Sequence, residues 1–398
     1  LRAARRPHRG PTFVDIPLDV FFDTTEAPAP EPADAATLAG APPEPDAIAA
    51  VARLLGESVR PVLFVGADAH WAGSEGPLRN LAETARLPVF ANGLGRGLLP
   101  ADHELSFSRV RSTAFKEADL VVVAGAPLDF RLGFGSFGEA RVVHLCDAPE
   151  SVAAHARLAA STVGDLALTF GSLAEAVARS AKPDHEAWLA QLRTEEKARR
   201  AAEADVLAAD AMPIRPTRVY GELRSRLDRD AVVIGDGGDF VSYAGKYVDT
   251  FEPGCFLDPG PYGCLGMGTG YALAATLARP GRQVVVLFGD GAIGFSLGDL
   301  DTLVRFGVDV VAIVGNNGIW GLEKHPMNQV YGYDVVADLR PGTRYDLVAE
   351  ALGGQGELVE EPHGVGPALD RAFATPGLSV VNVLTDPGEA YPRSSNLA

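Results

Sequence analysis

At 398 residues the chain is too long for one ordinary domain, so two or three are expected. Its hydrophobic share of 47% and charged share of 22% are those of a globular protein with real cores. A net charge of −17 argues against a nucleic-acid partner, whose phosphates need clustered Lys and Arg, and reads as a solubility property. No apolar run approaches the ~20 residues of a membrane helix, so no membrane partner is expected. Cys146, Cys255 and Cys264 are widely spaced, form no CxxC and are odd in number, which points to a reduced, cytoplasmic setting.

Leu1 to Pro11 is basic but has no apolar core, so it is no signal peptide. It also lacks a starting Met. Thr12-Phe13-Val14-Asp15-Ile16-Pro17 reads as the last strand of something already folded, and residues 1–44 are expected to be the end of a missing upstream domain plus a linker. That linker, Glu26 to Pro45, is dense in Ala and Pro.

Residues 45–182 repeat a strand–helix alternation. Val62 to Gly66, Leu120 to Gly125 and Arg141 to Leu145 are continuous apolar runs, and Pro77 to Ala85 has helical spacing. Continuous rather than alternating runs predict a parallel sheet covered on both faces. A polar helix, Glu186 to Ala208, falls in a connecting segment, 183–215. From 216 to 398 the pattern restarts: helix Thr217 to Leu227, then strands Ala231 to Gly235, Gln283 to Phe288, Val308 to Val314 and Leu378 to Leu384. The fold class is α/β, with two doubly wound parallel-sheet domains.

In open parallel sheets ligands sit beyond the carboxyl ends of the strands. Two such ends are chemically loaded. Strand Val284–Phe288 runs into Gly289-Asp290-Gly291-Ala292, and strand Val310–Val314 into Gly315-Asn316-Asn317-Gly318. A helix of normal crossover length, about Ser296 to Phe306, separates them, so the loops should be neighbours. Asp290 offers one anionic oxygen, Asn317 a neutral carbonyl, and the backbone at Ile319 a third oxygen, which suits Mg²⁺ whose remaining ligands come from a diphosphate. Gly291 and Ala292, at the next helix start, can donate N–H groups to phosphate. Either loop alone reads as a turn. Together, 27 residues apart on successive strands, they do not.

Gly289-Asp290-Gly291 through Asn316-Asn317 resembles the diphosphate-and-magnesium motif of thiamine-diphosphate (ThDP) enzymes, and the chain is similar to the last two-thirds of the acetolactate synthase large subunit. The resemblance implies ThDP and Mg²⁺ as cofactors, with Asp290, Asn317 and the Ile319 carbonyl on the metal and Trp320 beside the cofactor. Gly260 to Gly268 resembles the Gly-rich stretch before the family's long core helix, where Leu265, next to Gly263, would wedge the cofactor into its bent shape. Four glycines, Gly263, Gly266, Gly268 and Gly270, are costly inside a helix and imply close approach of a cofactor or subunit. Gly235 to Phe240, with Gly237, Gly238, Asp239 and Phe240, resembles the loop lining the diphosphate end. The middle domain resembles the family's FAD- or ADP-binding domain through Gly95, Arg96, Gly125, Arg131 and Asp147. It has no GxGxxG after a strand, so a purely structural domain is the other reading.

The cofactor carries most of the chemistry in this family, as nucleophile and electron sink. The activating Glu comes from the N-terminal domain of a neighbouring subunit. Glu26, Glu31 and Glu44 lie in the linker and are not placed for it, so the chain is expected to be inactive alone and to work as a homodimer or homotetramer. Acetolactate synthases carry a Gln-Trp pair after the second Asn, and here Pro326 stands at the Trp. Ala292 to Ser296 and Asn317 to Trp320 look more like 2-hydroxyacyl-CoA lyases and oxalyl-CoA decarboxylases, but Tyr391 to Ala398 offers no basic tail for CoA. The substrate is thus a 2-oxoacid such as pyruvate, or alternatively an acyl-CoA; a nucleotide-binding scaffold without catalysis is the non-enzymatic alternative. His325 is expected to be an exposed loop histidine, with Glu323 and Lys324 solvated.

Overall fold

The computed structural model describes residues 3–28, 40–179 and 184–392. By internal contacts the chain divides into two units, Leu1–Leu87 with Glu117–His185, and Pro88–Lys116 with Glu186–Ala398.

In the first unit the apolar runs form strands β1 (Pro61–Val65), β3 (Leu120–Ala124) and β4 (Arg141–Cys146), joined by β5 (Ala160–Val163). β1 pairs with β3, β3 with β4 and β4 with β5, all parallel. Every residue of β1 and β3 is buried, as continuous Val/Leu runs require. Helices Pro45–Glu57, Glu75–Ala85 and Leu166–Arg179 accompany the sheet. Their buried Leu and Val recur at helical spacing, as in Leu54, Leu55, Leu78 and Leu81.

His144 lies buried in β4. Its Nε2 donates to the Ala126 carbonyl at 3.0 Å, and its Nδ1 accepts from the Ala153 N–H at 3.2 Å. This is a neutral ring serving the backbone, and burial holds its pKa below the ordinary 6.5. A base whose folded pKa is depressed contributes stability that is complete above the unfolded value and lost as pH falls through the folded one. Urea midpoints should therefore drop between pH 7.5 and 5.5 by more in wild type than in His144→Asn.

The expected strand at Thr12–Pro17 is absent. That stretch has no ladder partner, and it is followed by a five-residue helix, Leu18–Phe22, with no buried residue. Phe13 is 91% exposed. A strand exists only through pairing, and nothing among the described residues pairs with this one. Much of the expected linker, residues 29–39 with Glu31, lies outside the described residues.

In the second unit β2 (Val89–Ala91) is a short strand bridged to Ser106. The main sheet comprises β6 (Val232–Asp236), β7 (Phe256–Leu257), β8 (Val284–Gly289), β9 (Val310–Asn316), β10 (Gln355–Val359) and β11 (Leu378–Leu384). Its order is β10-β11-β9-β8-β6-β7, parallel throughout. Successive residues feed two separate cores. Val285, Leu287, Val311 and Ile313 pack on one face with Val365 and Leu369, while Val284, Val286, Phe288 and Val314 pack on the other with Ala272, Leu300 and Ala349. Helices on both faces make the sheet doubly wound. The polar helix is shorter than expected, Glu186–Ala202, with a separate turn at Ala204–Leu207. β7 and β10, too short or too polar for an apolar run, were not predicted.

Candidate cofactor and metal site

β8 and β9 pair directly, with Gly289 opposite Gly315, so the two loaded loops are neighbours. Asp290 begins the short helix Asp290–Ile293 and is 3% exposed. Its Oδ1 accepts from the Gly291 N–H at 2.9 Å and its Oδ2 from the Gly318 N–H at 2.6 Å, the second bond tying one loop to the other. Those donors favour the ionised form, but burial prevails and pushes the carboxyl up to about 6. No cationic side chain pairs with it among the described residues. A buried carboxylate without a counter-charge is unfavourable unless a cation completes it.

The two asparagines part company here. Asn316 turns away: its Nδ2 donates to the Thr343 carbonyl at 2.9 Å and to Asn382 Oδ1 at 3.0 Å. Asn317 stays at the cleft, its Oδ1 accepting from the Ile319 N–H at 3.2 Å in a tight turn. Ile319 bridges Asp338, and the flanking bonds use the carbonyls of Ala337 and Gly318, not that of Ile319. One carboxylate, one amide oxygen and one backbone carbonyl are a donor set that fits Mg²⁺ when phosphate oxygens supply the rest.

The cleft is also lined by Gly238, Asp239, Phe240, Gly289, Gly291, Ala292 and Trp320. A Cβ at Gly291 would lie 2.5 Å from the Trp320 ring, so only glycine brings that backbone to the cleft. Gly237 sits behind, at φ +133° with its Cα facing the Gly289 N–H. Phe240 carries its carbonyl to the Tyr220 hydroxyl at 2.8 Å and its ring into the core. Asp239 accepts from the Tyr391 N–H at 2.9 Å.

Leu265 and Gly263 do not line this cleft. Leu265 is half-buried in a turn between Gly263 and Gly266. The reading of four helix-interior glycines is corrected. Gly263 and Gly266 have φ of +62° and +85° and precede the helix Gly268–Ala278, whose first residue abuts the Phe288 ring. Only Gly270 is well inside it, with open space around it. What fixes this stretch is Asp236, fully buried at the end of β6, which accepts from the N–H groups of Gly266 at 3.0 Å and Gly268 at 2.7 Å. The sequence placed Asp236 in a turn motif and gave no sign of this clamp. It gave none of Tyr345 either, whose hydroxyl donates to the Asp290 carbonyl at 3.0 Å. Tyr345→Phe should cost about 1 kcal/mol in urea unfolding, the usual worth of such a bond.

His325 is not a loop residue. It lies half-buried in helix Gly321–Tyr331, and its Nε2 has no partner. Lys324 is not simply solvated, for it pairs with Asp334 at 3.6 Å and with Asp338. Glu323 is exposed at the cleft rim, and Pro326 falls inside the helix. Glu26 and Glu44 are exposed and outside the cleft. Of the residues expected at a nucleotide, Gly125, Arg131 and Asp147 belong to the first unit, and Gly95 and Arg96 to the second. Arg131 is paired with Asp129 at 2.6 Å, and Arg96 is half-buried with its guanidinium over the Phe256 ring at 4.7 Å.

Residues 236–383 match the family described as thiamine pyrophosphate enzyme, C-terminal TPP binding domain, and residues 48–173 its central domain. The whole chain is 51% identical to the acetolactate synthase large subunit IlvG of Mycobacterium tuberculosis, covering 72% of that protein. The chain belongs to the thiamine pyrophosphate enzyme family. A probable acetolactate synthase of Mycobacterium bovis stands at the same identity and coverage. The 2-hydroxyacyl-CoA lyase 2 of Caenorhabditis elegans is 32% identical over 83% of the chain and 53% of its own length. This thiamine pyrophosphate enzyme thus has the two parallel-sheet α/β domains that the sequence implied. The described residues include no helix long and apolar enough to cross a membrane.

Proposed function

We propose that the chain serves an acetolactate synthase reaction, in which a 2-oxoacid such as pyruvate loses CO₂ and its remaining two-carbon unit joins a second 2-oxoacid. The observation that carries this reading is 51% identity over the entire chain to acetolactate synthase large subunits, against 30–32% to 2-hydroxyacyl-CoA lyases. Asp290, Asn317 and the Ile319 carbonyl would hold Mg²⁺, and the N–H groups of Gly291 and Ala292 would face the diphosphate. Bound there, thiamine diphosphate supplies the carbon nucleophile and the electron sink. Gly237, Gly238, Gly289 and Trp320 shape the cleft around it, and Leu265 is assigned the wedge beneath its rings.

Residues 45–182 are assigned as a central FAD- or ADP-binding-like domain, 183–215 as a connecting helix and 216–398 as the diphosphate and metal domain. With Arg131 paired to Asp129, a nucleotide would rest on Gly125 and Asp147. A homodimer or homotetramer in the cytoplasm completes the proposal. It is supported by exposed apolar side chains such as Tyr262, Leu277 and Phe295.

The second reading, cleavage of a 2-hydroxyacyl-CoA, is favoured by Pro326 at the position of the synthase Trp. The full-length protein, loaded with ThDP and Mg²⁺, should form acetolactate from pyruvate and leave 2-hydroxyacyl-CoA intact. The reverse pattern establishes the lyase, and turnover of neither rejects both.

A further inference from the structure

The second unit carries a cavity of about 210 Å³ at the amino end of β6, where Ala231 and Val233 begin the strand that carries Asp236 at its other end. Its wall holds Arg200, Arg224, Arg229, Tyr247, Thr250 and Phe251. Three arginines in one cavity are notable in a chain of net charge −17. Two aspartates also line it, but Asp249 is already bound by Arg200 at 3.1 and 3.2 Å, which leaves Asp228 as the opposing charge.

The three cations are not equivalent. Arg200 is fixed by Glu196 and Asp249. Arg229 lies over the Phe251 ring at 4.4 Å while Asp102 holds its guanidinium at 2.8 and 3.1 Å. Arg224 is exposed and its guanidinium has no ion pair or hydrogen bond among the described residues. Leu227, Tyr247 and Phe251 give the same cavity an apolar side.

We propose that this cavity binds a small organic anion, a phosphate or carboxylate on an aromatic or apolar body. Arg224, whose guanidinium is unpaired among the described residues, takes the anionic group, a guanidinium being the side chain best matched to such oxygens. Arg229, held by Asp102, adds a second positive charge nearby. Tyr247 and Phe251 flank the body of the ligand. The volume is below that of pockets for drug-sized ligands, roughly 300–1,000 Å³, which excludes a dinucleotide. The site lies at the opposite end of β6 from Asp236, so its ligand does not compete with the cofactor.

The test is calorimetric titration of the full-length protein saturated with ThDP and Mg²⁺, which keeps the diphosphate site filled. The probes are phenyl phosphate, benzoate and inorganic phosphate. Saturable binding of phenyl phosphate or benzoate is expected, at least 10-fold tighter than inorganic phosphate because of the ring; the better of the two identifies the anionic group. Arg224→Ala should weaken it at least 10-fold without affecting folding, since that side chain has no partner to lose. Arg229→Ala should weaken it by less, because that guanidinium is already paired with Asp102. Arg305→Ala, an exposed arginine that does not line the cavity, should leave it unchanged. No saturable binding, equal affinity in Arg224→Ala and wild type, or only unsaturable uptake of phosphate (an adventitious ion only) would overturn the proposal.

Discussion

Asp290→Asn should abolish Mg²⁺-dependent binding of ThDP, weakening it by at least 100-fold, or about 2.7 kcal/mol. The reasoning starts from the burial of the carboxylate. Asp290 is 3% exposed, burial pushes its carboxyl up to about 6, and backbone N–H groups, those of Gly318 and Gly291 foremost, offset its charge without a cationic partner among the described residues. Such a group is held ionised most readily by a cation, and the amide removes the anionic oxygen that a hard divalent ion prefers. The substitution also costs an acceptor: an Asn can receive one of the two N–H bonds and must point its own NH₂ at the other. Calorimetric titration of the full-length protein with ThDP and Mg²⁺ measures the loss, and wild type stripped of metal with EDTA should behave the same way. Glu323→Gln, at the exposed rim of the same cleft, should change affinity no more than a few-fold. Retained Mg²⁺-dependent binding in Asp290→Asn would remove the metal assignment.

That site was legible from sequence because each of its parts is written locally. A continuous Val/Leu run fixes a buried parallel strand, the residues just after it must lie at the carboxyl edge, and the crossover length brings Asp290 and Asn317 together. The structure adds what long-range pairing alone decides. Residue type alone does not separate Asn316 from Asn317, and the choice of Asn317 came with the family resemblance; in the structure Asn382 and Thr343, more than 25 residues away, draw Asn316 aside. Asp236 reads as a turn residue until Gly266 and Gly268 are seen to donate to it. Tyr345 lies in a helix with no motif. The failures have the same origin. Thr12–Pro17 has the composition of a strand, expected as the last of an upstream domain, and finds no partner among the described residues; His325, expected in an exposed loop, lies in a helix that half-buries the ring.

Gly237→Ala should be among the most damaging substitutions outside the proposed metal ligands. Gly237 has φ +133°, where a side chain is strained at a cost of about 1–3 kcal/mol. Its added Cβ would also lie 2.9 Å from the Gly289 nitrogen and 3.0 Å from the Ala292 Cβ. Overpacking against backbone adds about 1–3 kcal/mol, because the atom in the way cannot rotate aside. The loss of stability should therefore be roughly 2–6 kcal/mol, read as a lowered urea midpoint. Function should suffer with it. Gly289 immediately precedes Asp290, and Ala292 lies on the helix that Asp290 opens, so relieving the clash displaces the carboxylate itself. ThDP and Mg²⁺ affinity should fall more than 10-fold in whatever fraction remains folded. Gly270→Ala supplies the contrast: with open space around it inside helix Gly268–Ala278, the same methyl should stabilise the chain by up to about 1 kcal/mol. If Gly237→Ala instead leaves both the midpoint and the affinity at wild-type values, then the close approach of β6 and β8 backbones is not what shapes the cofactor cleft.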